Sequence, residues 1–214
     1  MRSPSRTSLK KTGFVLGLCV ILLVAMGSNT KFLSPRQATA YNPKSFSAEE
    51  YAAKAFPSVA ATITKKAVDL TVLAPALAQD LTSAGAKYGV NLGASSFAFA
   101  VRTGGTVESL DSDFITLKVS GLPAEVLVYL PLGLAVSGNP IRDAPGIIKY
   151  GDFADQTDYQ SVANAFKLII KSEILSKLDL TVIKGKKLSV VGAWTSGGPA
   201  NTFIIQPVSI QVLP

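Results

Sequence analysis

The hydrophobic period changes near Gly89, and this limits the fold more than any other feature of the chain. Upstream, apolar residues recur at helical spacing, at Val59, Ile63, Ala67 and Leu70 and then at Leu73, Leu77 and Leu81. Ser47-Ala48-Glu49-Glu50 has the form of a capping box, so a helix is expected from Ser47 to about Ala55, interrupted or restarted at Pro57. Gly85 and Gly89 close the helical region. Downstream the pattern alternates. Phe97, Phe99 and Val101 read as a strand, Gly104-Gly105 as a two-residue hairpin turn, and Val107 as part of the returning strand. Ile115, Leu117 and Val119 mark a half-buried strand, and Glu125 to Leu130 a central one stopped by Pro131. A Gly- and Pro-rich loop follows from Gly133 to Gly146. Helical spacing returns at Tyr159, Val162, Phe166, Ile169 and Ile170, reaching Leu178, with Thr157 or Asp158 as N-cap. Lys187–Thr195 and Thr202–Leu213 form a last strand pair across Gly197-Gly198-Pro199.

That order predicts an α+β fold. N-terminal helices precede a small antiparallel β-barrel of the oligonucleotide/oligosaccharide-binding (OB) kind, with one helix inserted before the last two strands. The barrel is expected to close on itself and so remove its edges.

The N-terminus has a separate logic. Residues 1–12 are basic, and Gly13 to Met26 is an uninterrupted apolar run. A membrane span wants ~20 residues, so this run is closer to the core of a signal peptide. The preceding positive charges keep the N-terminus cytoplasmic and send the rest outward. The expected organisation is a signal peptide or membrane anchor over 1–27, a linker over 28–46 and a single soluble domain over 47–214. Cleavage after Ala25-Met26-Gly27 and cleavage after Ala38-Thr39-Ala40 both remain open. Cys19, the sole cysteine, reads as a buried, inert helix residue or as the acceptor of a lipoprotein signal. Leu18 before it and the apolar Val20 to Met26 after it disfavour the lipid.

The net charge of +7 would point to nucleic acid if it lay on the domain. It does not. Residues 1–44 hold seven of the Lys/Arg and no acid, and beyond them fourteen Lys/Arg face fourteen Asp/Glu. No nucleic-acid partner is expected. The chain has no histidine, which excludes Ser-His-Asp and Cys-His hydrolases and His-ligated zinc, and one cysteine cannot form an intrachain disulfide. No cofactor or metal is expected.

Candidate ligand-binding residues lie mostly in the second half. Arg142 and Asp143 sit in the Gly/Pro loop, where an arginine fork could hold a carboxylate or sugar hydroxyls, or could pin the loop internally. Asp152, Asp155 and Asp158, with Gln156 among them, could act as acid and base or simply as turn and cap residues. Asn164 reads as a buried polar group tied to a loop carbonyl. Tyr150 and Trp194 could form an aromatic platform for a sugar or belong to the core. A Ser/Lys pair among Lys186, Lys187 and Ser189 is the nucleophilic chemistry that the missing histidine leaves open.

Several segments in order resemble a bacterial family of predicted periplasmic lipoproteins of unknown function. They are Ala84 to Gly89, Phe97 to Val107, Gly138-Asn139-Pro140-Ile141-Arg142-Asp143-Ala144, Lys149 to Gln156 with Tyr159 and Val162 to Ala165, and Gly185 to Val190 with Gly192-Ala193-Trp194. The likeness spans about Phe46 to the end. It implies an exported, periplasmic or extracytoplasmic domain, membrane-anchored or secreted, in a family that often accompanies sugar-uptake transporters. Typical members carry a lipid-attachment cysteine directly after the leader, a place Cys19 does not occupy. The expected function is therefore a non-catalytic binding or accessory module at the outer face of the cytoplasmic membrane, reached through residues 13–26 and working with a transporter or its solute receptor. The alternative is a stand-alone carbohydrate-binding protein. An enzyme using carboxylates or a Ser/Lys pair ranks behind both.

Overall fold

A computed structural model describes residues 6–31, Ser34 and residues 46–214. The chain divides into two compact units, residues 1–45 and residues 46–214. In the first, Arg6–Asn29 forms helix α1, and its side chains from Phe14 to Ser28 are exposed. Cys19 is exposed rather than buried, as are its apolar neighbours along α1. Among the described residues no helix is long and apolar enough to cross a membrane. The Ala38-Thr39-Ala40 cleavage position and most of the 28–46 linker lie outside the described residues.

The second unit opens with α2 (Ala48–Lys66), whose N-cap Ser47 accepts a hydrogen bond from the Glu50 amide. The helix passes through Pro57 instead of stopping there. Pro57 and Ala53, the residue whose carbonyl loses its partner, are both on the solvent side, so the freed oxygen can be hydrated. The buried stripe of Ala48, Ala52, Val59 and Ile63 continues across it.

Helical spacing does not continue into Leu70 as one helix. Val68–Asp69 is a short strand, β1, after which Asp69 caps α3 (Leu70–Gln79) and Asp80 caps α4 (Leu81–Tyr88). Strand β2 (Gly89–Gly93) follows, and then β3 (Ser96–Leu110), which is fifteen residues long. The expected hairpin at Gly104-Gly105 is absent, because both glycines lie inside β3, opposite Ser189 and Leu188. Close approach explains Gly105, where an added Cβ would lie 2.8 Å from the Lys118 carbonyl oxygen.

The remaining strands are β4 (Phe114–Lys118), β5 (Leu127–Pro131), β6 (Lys187–Thr195), β7 (Thr202–Ile204) and β8 (Gln206–Leu213). Between β5 and β6 lie α5 (Asn139–Asp143), a short 3-10 turn at Tyr150–Asp152 and α6 (Gln156–Ile169), extended by further turns to Lys177. The sheet runs β7-β5-β4-β3-β6-β8, with β1 and β2 also on β3. It is mixed, since the β1–β3 and β5–β7 pairs are parallel.

The sheet is also open, which corrects the expected closed barrel. Its terminal strands, β7 and β8, are successive pieces of one chain segment joined at Ile205, so covalent continuity rather than a ladder links the two ends. The Ile205 amide still bonds to the Tyr129 carbonyl, 2.9 Å, before the chain turns to β6. Pro207, which has no amide hydrogen to donate, and a register shift at Gly192 mark that change of partner.

Alternation along β3 sorts the core into two. Phe97, Phe99, Val101 and Val107 face the sheet's concave interior with Ile115, Leu117, Leu130, Leu188 and Val190, and Leu70 and Leu73 of α3 fill it. Ala98 and Ala100 point the other way, where α2 and α6 pack through Val59, Ile63, Val162 and Phe166. Small residues on that face of the sheet let the helices lie close.

Candidate functional site

Arg142 and Asp143 end the short helix α5, and both are buried, at 5% and 9% exposure. The guanidinium forks onto the neighbouring carboxylate, with Nε to Oδ1 at 2.7 Å and Nη2 to Oδ2 at 3.1 Å. Nη1 donates to the Tyr159 carbonyl (3.1 Å) and to Gln160 Oε1 (3.3 Å), and the guanidinium lies 3.6 Å over the Tyr159 ring. The Tyr159 hydroxyl returns to Asp143 Oδ1 at 3.0 Å. Burial, then the charge of Asp143, pushes the Tyr159 hydroxyl above its ordinary pKa. Four of the five guanidinium hydrogens are thus committed inside the protein, which is how a loop is pinned to a helix. Gly138 brings α5 that close, since a Cβ there would fall 1.7 Å from the Ala163 carbonyl oxygen.

Tyr150, Asp152, Asp155 and Gln156 follow on the same side. The Tyr150 ring meets Tyr159 edge-on at 5.7 Å, and Phe46, Tyr51 and Phe153 continue the aromatic cluster. Asp152 accepts from the Lys149 amide, 3.0 Å. Burial first and the Asp152 charge second raise the Tyr51 hydroxyl. Asp155, rather than Thr157 or Asp158, is the N-cap of α6, taking the Asp158 amide at 2.9 Å, and Gln156 is the first, exposed residue of that helix. Asn164 is exposed, not buried, because it falls between the buried Ala163 and Ala165 on the outward turn of α6. On β6, no hydrogen bond joins Ser189 to Lys186 or Lys187 among the described residues.

Trp194 stands apart from this cluster. It is half-buried near the end of β6, stacked on Phe99 (ring centroids 5.4 Å, interplanar 27°) and packed on Phe203 (4.8 Å). It forms one wall of a cleft of about 510 Å³ that also includes Pro75, Leu77 and Leu81 of α3 and α4, Val126, and Pro199. The polar groups at this cleft are few, among them Glu125, Asn201 and Thr202. A second cavity of about 320 Å³, reaching Ser137, Asn139 and Gln206, lies on the other side of the Ser196–Asn201 loop and shares Trp194, Ser196, Gly198, Pro199 and Thr202 with the first. Residues Ser196, Gly198 and Pro199 of the loop thus line two hollows, and the Trp194 ring, packed against Phe99 and Phe203, belongs to the wall of the first. Apolar walls with a few polar groups at the edge suit a small ligand that is partly apolar.

The structure thus brings Arg142, Asp143, Tyr150, Asp152, Asp155 and Gln156 to one region and leaves Trp194 in another. Sequence reading missed Tyr159 as the hub of the first and the α3, α4 and loop residues of the second. No local pattern marks the cleft, because its walls come from segments as far apart as residues 74 and 203.

Fold and site together define an α+β domain with an open mixed sheet and a cleft walled by Trp194. A crystal structure of an OB-fold protein from Thermotoga maritima is similar, with a TM-score of 0.66 at 20% identity, covering 79% of this chain and all of that one. No curated protein matches the chain. Residues 19–211 match the family described as predicted periplasmic lipoproteins, domain-of-unknown-function family twenty-two ninety-one, and the chain belongs to that family. The protein is exported and extracytoplasmic.

Proposed function

We propose that the protein is a non-catalytic binding module held at the outer face of the cytoplasmic membrane, that its ligand enters the Trp194 cleft, and that it serves a neighbouring transporter or solute receptor. The cleft carries this reading: it is a sizeable, mostly apolar hollow with an aromatic wall and few polar groups. Asp152 and Asp155 are engaged with backbone amides and Asp143 in the Arg142 pair, which supports a binding role over catalysis. Sugar as the ligand rests on the family association and on Glu125 and Asn201 beside the indole. Two phenyl rings already pack on Trp194, so the face it offers to a sugar is reduced, and ligands with a flat apolar part suit the cleft better.

Trp194 is the sole tryptophan, so its emission, excited beyond the tyrosine absorption, reports on the wall of the cleft. Full-length protein in neutral detergent is titrated with sugars, nucleotides and apolar organic acids. A saturable shift in emission that Leu77→Lys abolishes, with the fold intact by circular dichroism, supports the reading. Saturable binding that leaves Trp194 emission unchanged and survives Leu77→Lys overturns it.

Attachment to the membrane is part of the proposal. The segment Gly13–Met26 stays uncleaved and holds the protein at the membrane by burying its exposed apolar side chains there, which does not require a full span. Acylation of Cys19 is the competing reading, supported by a family match that begins at that residue. The intact mass of membrane-extracted protein separates the two.

A further inference from the structure

One edge of β3 is served by two short strands in turn. β2 pairs along it as far as Phe99, through Gly89, and β1 takes over at Val101, through Val68. Ala100 falls between them and has a strand partner only in β6, at Ala193. The interruption leaves a cavity of about 360 Å³ whose walls include Lys66, Lys87, Tyr88, Val90, Ala100 and Ala144. It shares no residue with the Trp194 cleft.

Two ammonium groups border this notch, and no carboxylate does. Lys66, the last residue of α2, donates from Nζ to the Pro145 carbonyl at 2.8 Å. That neutral oxygen positions the ammonium without cancelling its charge and leaves two of its three hydrogens free to donate. Lys87, one residue from the end of α4, holds Nζ 4.9 Å over the Tyr88 ring. The one ion pair among the described residues is Arg142–Asp143, so neither lysine is neutralised by an acid. Arg102, outside the lining, donates its Nε hydrogen to the carbonyl of Ala67, the residue after Lys66, at 2.8 Å. Asp69, opposite Arg102 in the β1–β3 pairing, is turned to the Thr71 amide and hydroxyl, at 2.9 and 2.6 Å.

A concave site with paired, uncompensated cations and low-dielectric walls concentrates anions. We propose that this notch binds an oxyanion group, the carboxylate or phosphate of a small ligand, between Lys66 and Lys87. Its volume lies near the lower end of small-molecule sites, ~300–1,000 Å³, which admits a small acid or a phosphate monoester and not a polymer. The inference does not depend on the Trp194 cleft being a ligand site.

The test uses full-length protein in neutral detergent at constant ionic strength, with inorganic phosphate and succinate as probes and thermal stability and calorimetry as readouts. Saturable binding is expected, weakened about tenfold or more by Lys87→Gln and by Lys66→Gln and unchanged by Lys118→Gln on β4. Lys87 is exposed and makes no structural hydrogen bond, so its variant keeps the test valid should Lys66→Gln lose the Pro145 tie and unfold. A vesicle arm identifies the source of the anion. Because residues 13–26 would carry every variant onto a bilayer, this arm is read on protein reconstituted free of detergent. Phosphatidylglycerol vesicles that abolish saturable phosphate binding, where phosphatidylcholine vesicles do not, assign the oxyanion to a lipid headgroup; phosphate binding alike in both assigns it to a free solute. Failure of both phosphate and succinate to saturate overturns the proposal, as does equal binding by wild type and Lys87→Gln.

Discussion

Arg142→Met removes a guanidinium that makes four hydrogen bonds and leaves the Asp143 carboxylate buried with the Tyr159 hydroxyl as its remaining side-chain partner. Methionine keeps most of the apolar stem, so the loss is chiefly electrostatic and hydrogen-bonding. Removing one member of a buried pair costs about 3–5 kcal/mol, much of it the burial of the charge left behind. In a domain of this size that is a fall in Tm of about 6–20 °C. Asp143→Asn on top of Arg142→Met removes the stranded charge while keeping an acceptor for Tyr159, and should recover about half of the loss. The assay is thermal and urea unfolding of both variants and of Asp143→Asn alone, completing the cycle. A Tm within about 2 °C of the parent for Arg142→Met would show that the pair is not a structural pin. A loss of ligand binding at unchanged stability would show instead that the guanidinium faces a ligand.

Three further outcomes are expected. Thr103 is buried in β3 with its hydroxyl unpartnered among the described residues, so Thr103→Val should stabilise the fold by about 1 kcal/mol or more, read by urea unfolding; destabilisation would mean that the hydroxyl has a partner. Gly138→Ala should cost at least the ~1–3 kcal/mol typical of overpacking, because the new methyl meets the Ala163 carbonyl and the Lys167 amide and forces α5 away from α6; a Tm close to the parent would contradict the packing. Tyr51 and Tyr159 hold their protons more tightly folded than unfolded, so their contribution is complete below the ordinary tyrosine pKa of 10.0 and is lost as pH rises through the raised folded values. Tyr159→Phe should flatten that alkaline decline in Tm, and an unchanged slope would count against the assignment.

Elements with one unambiguous period were legible in the sequence. The Ser47 cap and the inserted helix appear where spacing places them, because each is fixed by neighbours within a turn. Lys187–Thr195 is a strand as expected, but its partner Thr202–Leu213 divides at Ile205, and Thr202–Ile204 pairs with β5 instead. Errors arose where tertiary contact overrode local habit. Gly104-Gly105 has the look of a turn, yet β3 runs straight through because the Lys118 carbonyl packs on one glycine and β6 pairs with both. The stripe from Ile63 to Leu73 keeps helical spacing, yet Val68–Asp69 is drawn out to pair with β3. Asp155 outcompetes Asp158 as the cap because the helix starts one turn earlier than its apolar stripe. The candidate site was half legible for the same reason. Adjacent residues such as Arg142 and Asp143 can be suspected from sequence, while a cleft built from α3, α4, β6 and a loop leaves no mark at any one of them.

The placement of that cleft follows from how the interior is filled. Leu70 and Leu73 of α3 are fully buried against Phe99, Ile115, Leu130 and Leu188, so the hollow of the sheet is occupied by the chain's own side chains. A ligand approaching that hollow is then held at its rim, where the outer turn of α3, the Ser196–Asn201 loop and Trp194 line the cleft. The plug and the binding wall are thus parts of one helix: Leu70 and Leu73 hold it in place, and Leu77, one turn further on, is presented to the cleft. Because the inward turn is rigidly packed, ligand binding at the outer turn should leave the core undisturbed and confine its response to the loop, whose Asn201 backbone already sits in a left-handed conformation at φ 54°. Amide exchange with a bound ligand should therefore slow in residues 196–202 and stay unchanged in β3, whereas protection gained along β3 would mean that the ligand enters the interior after all.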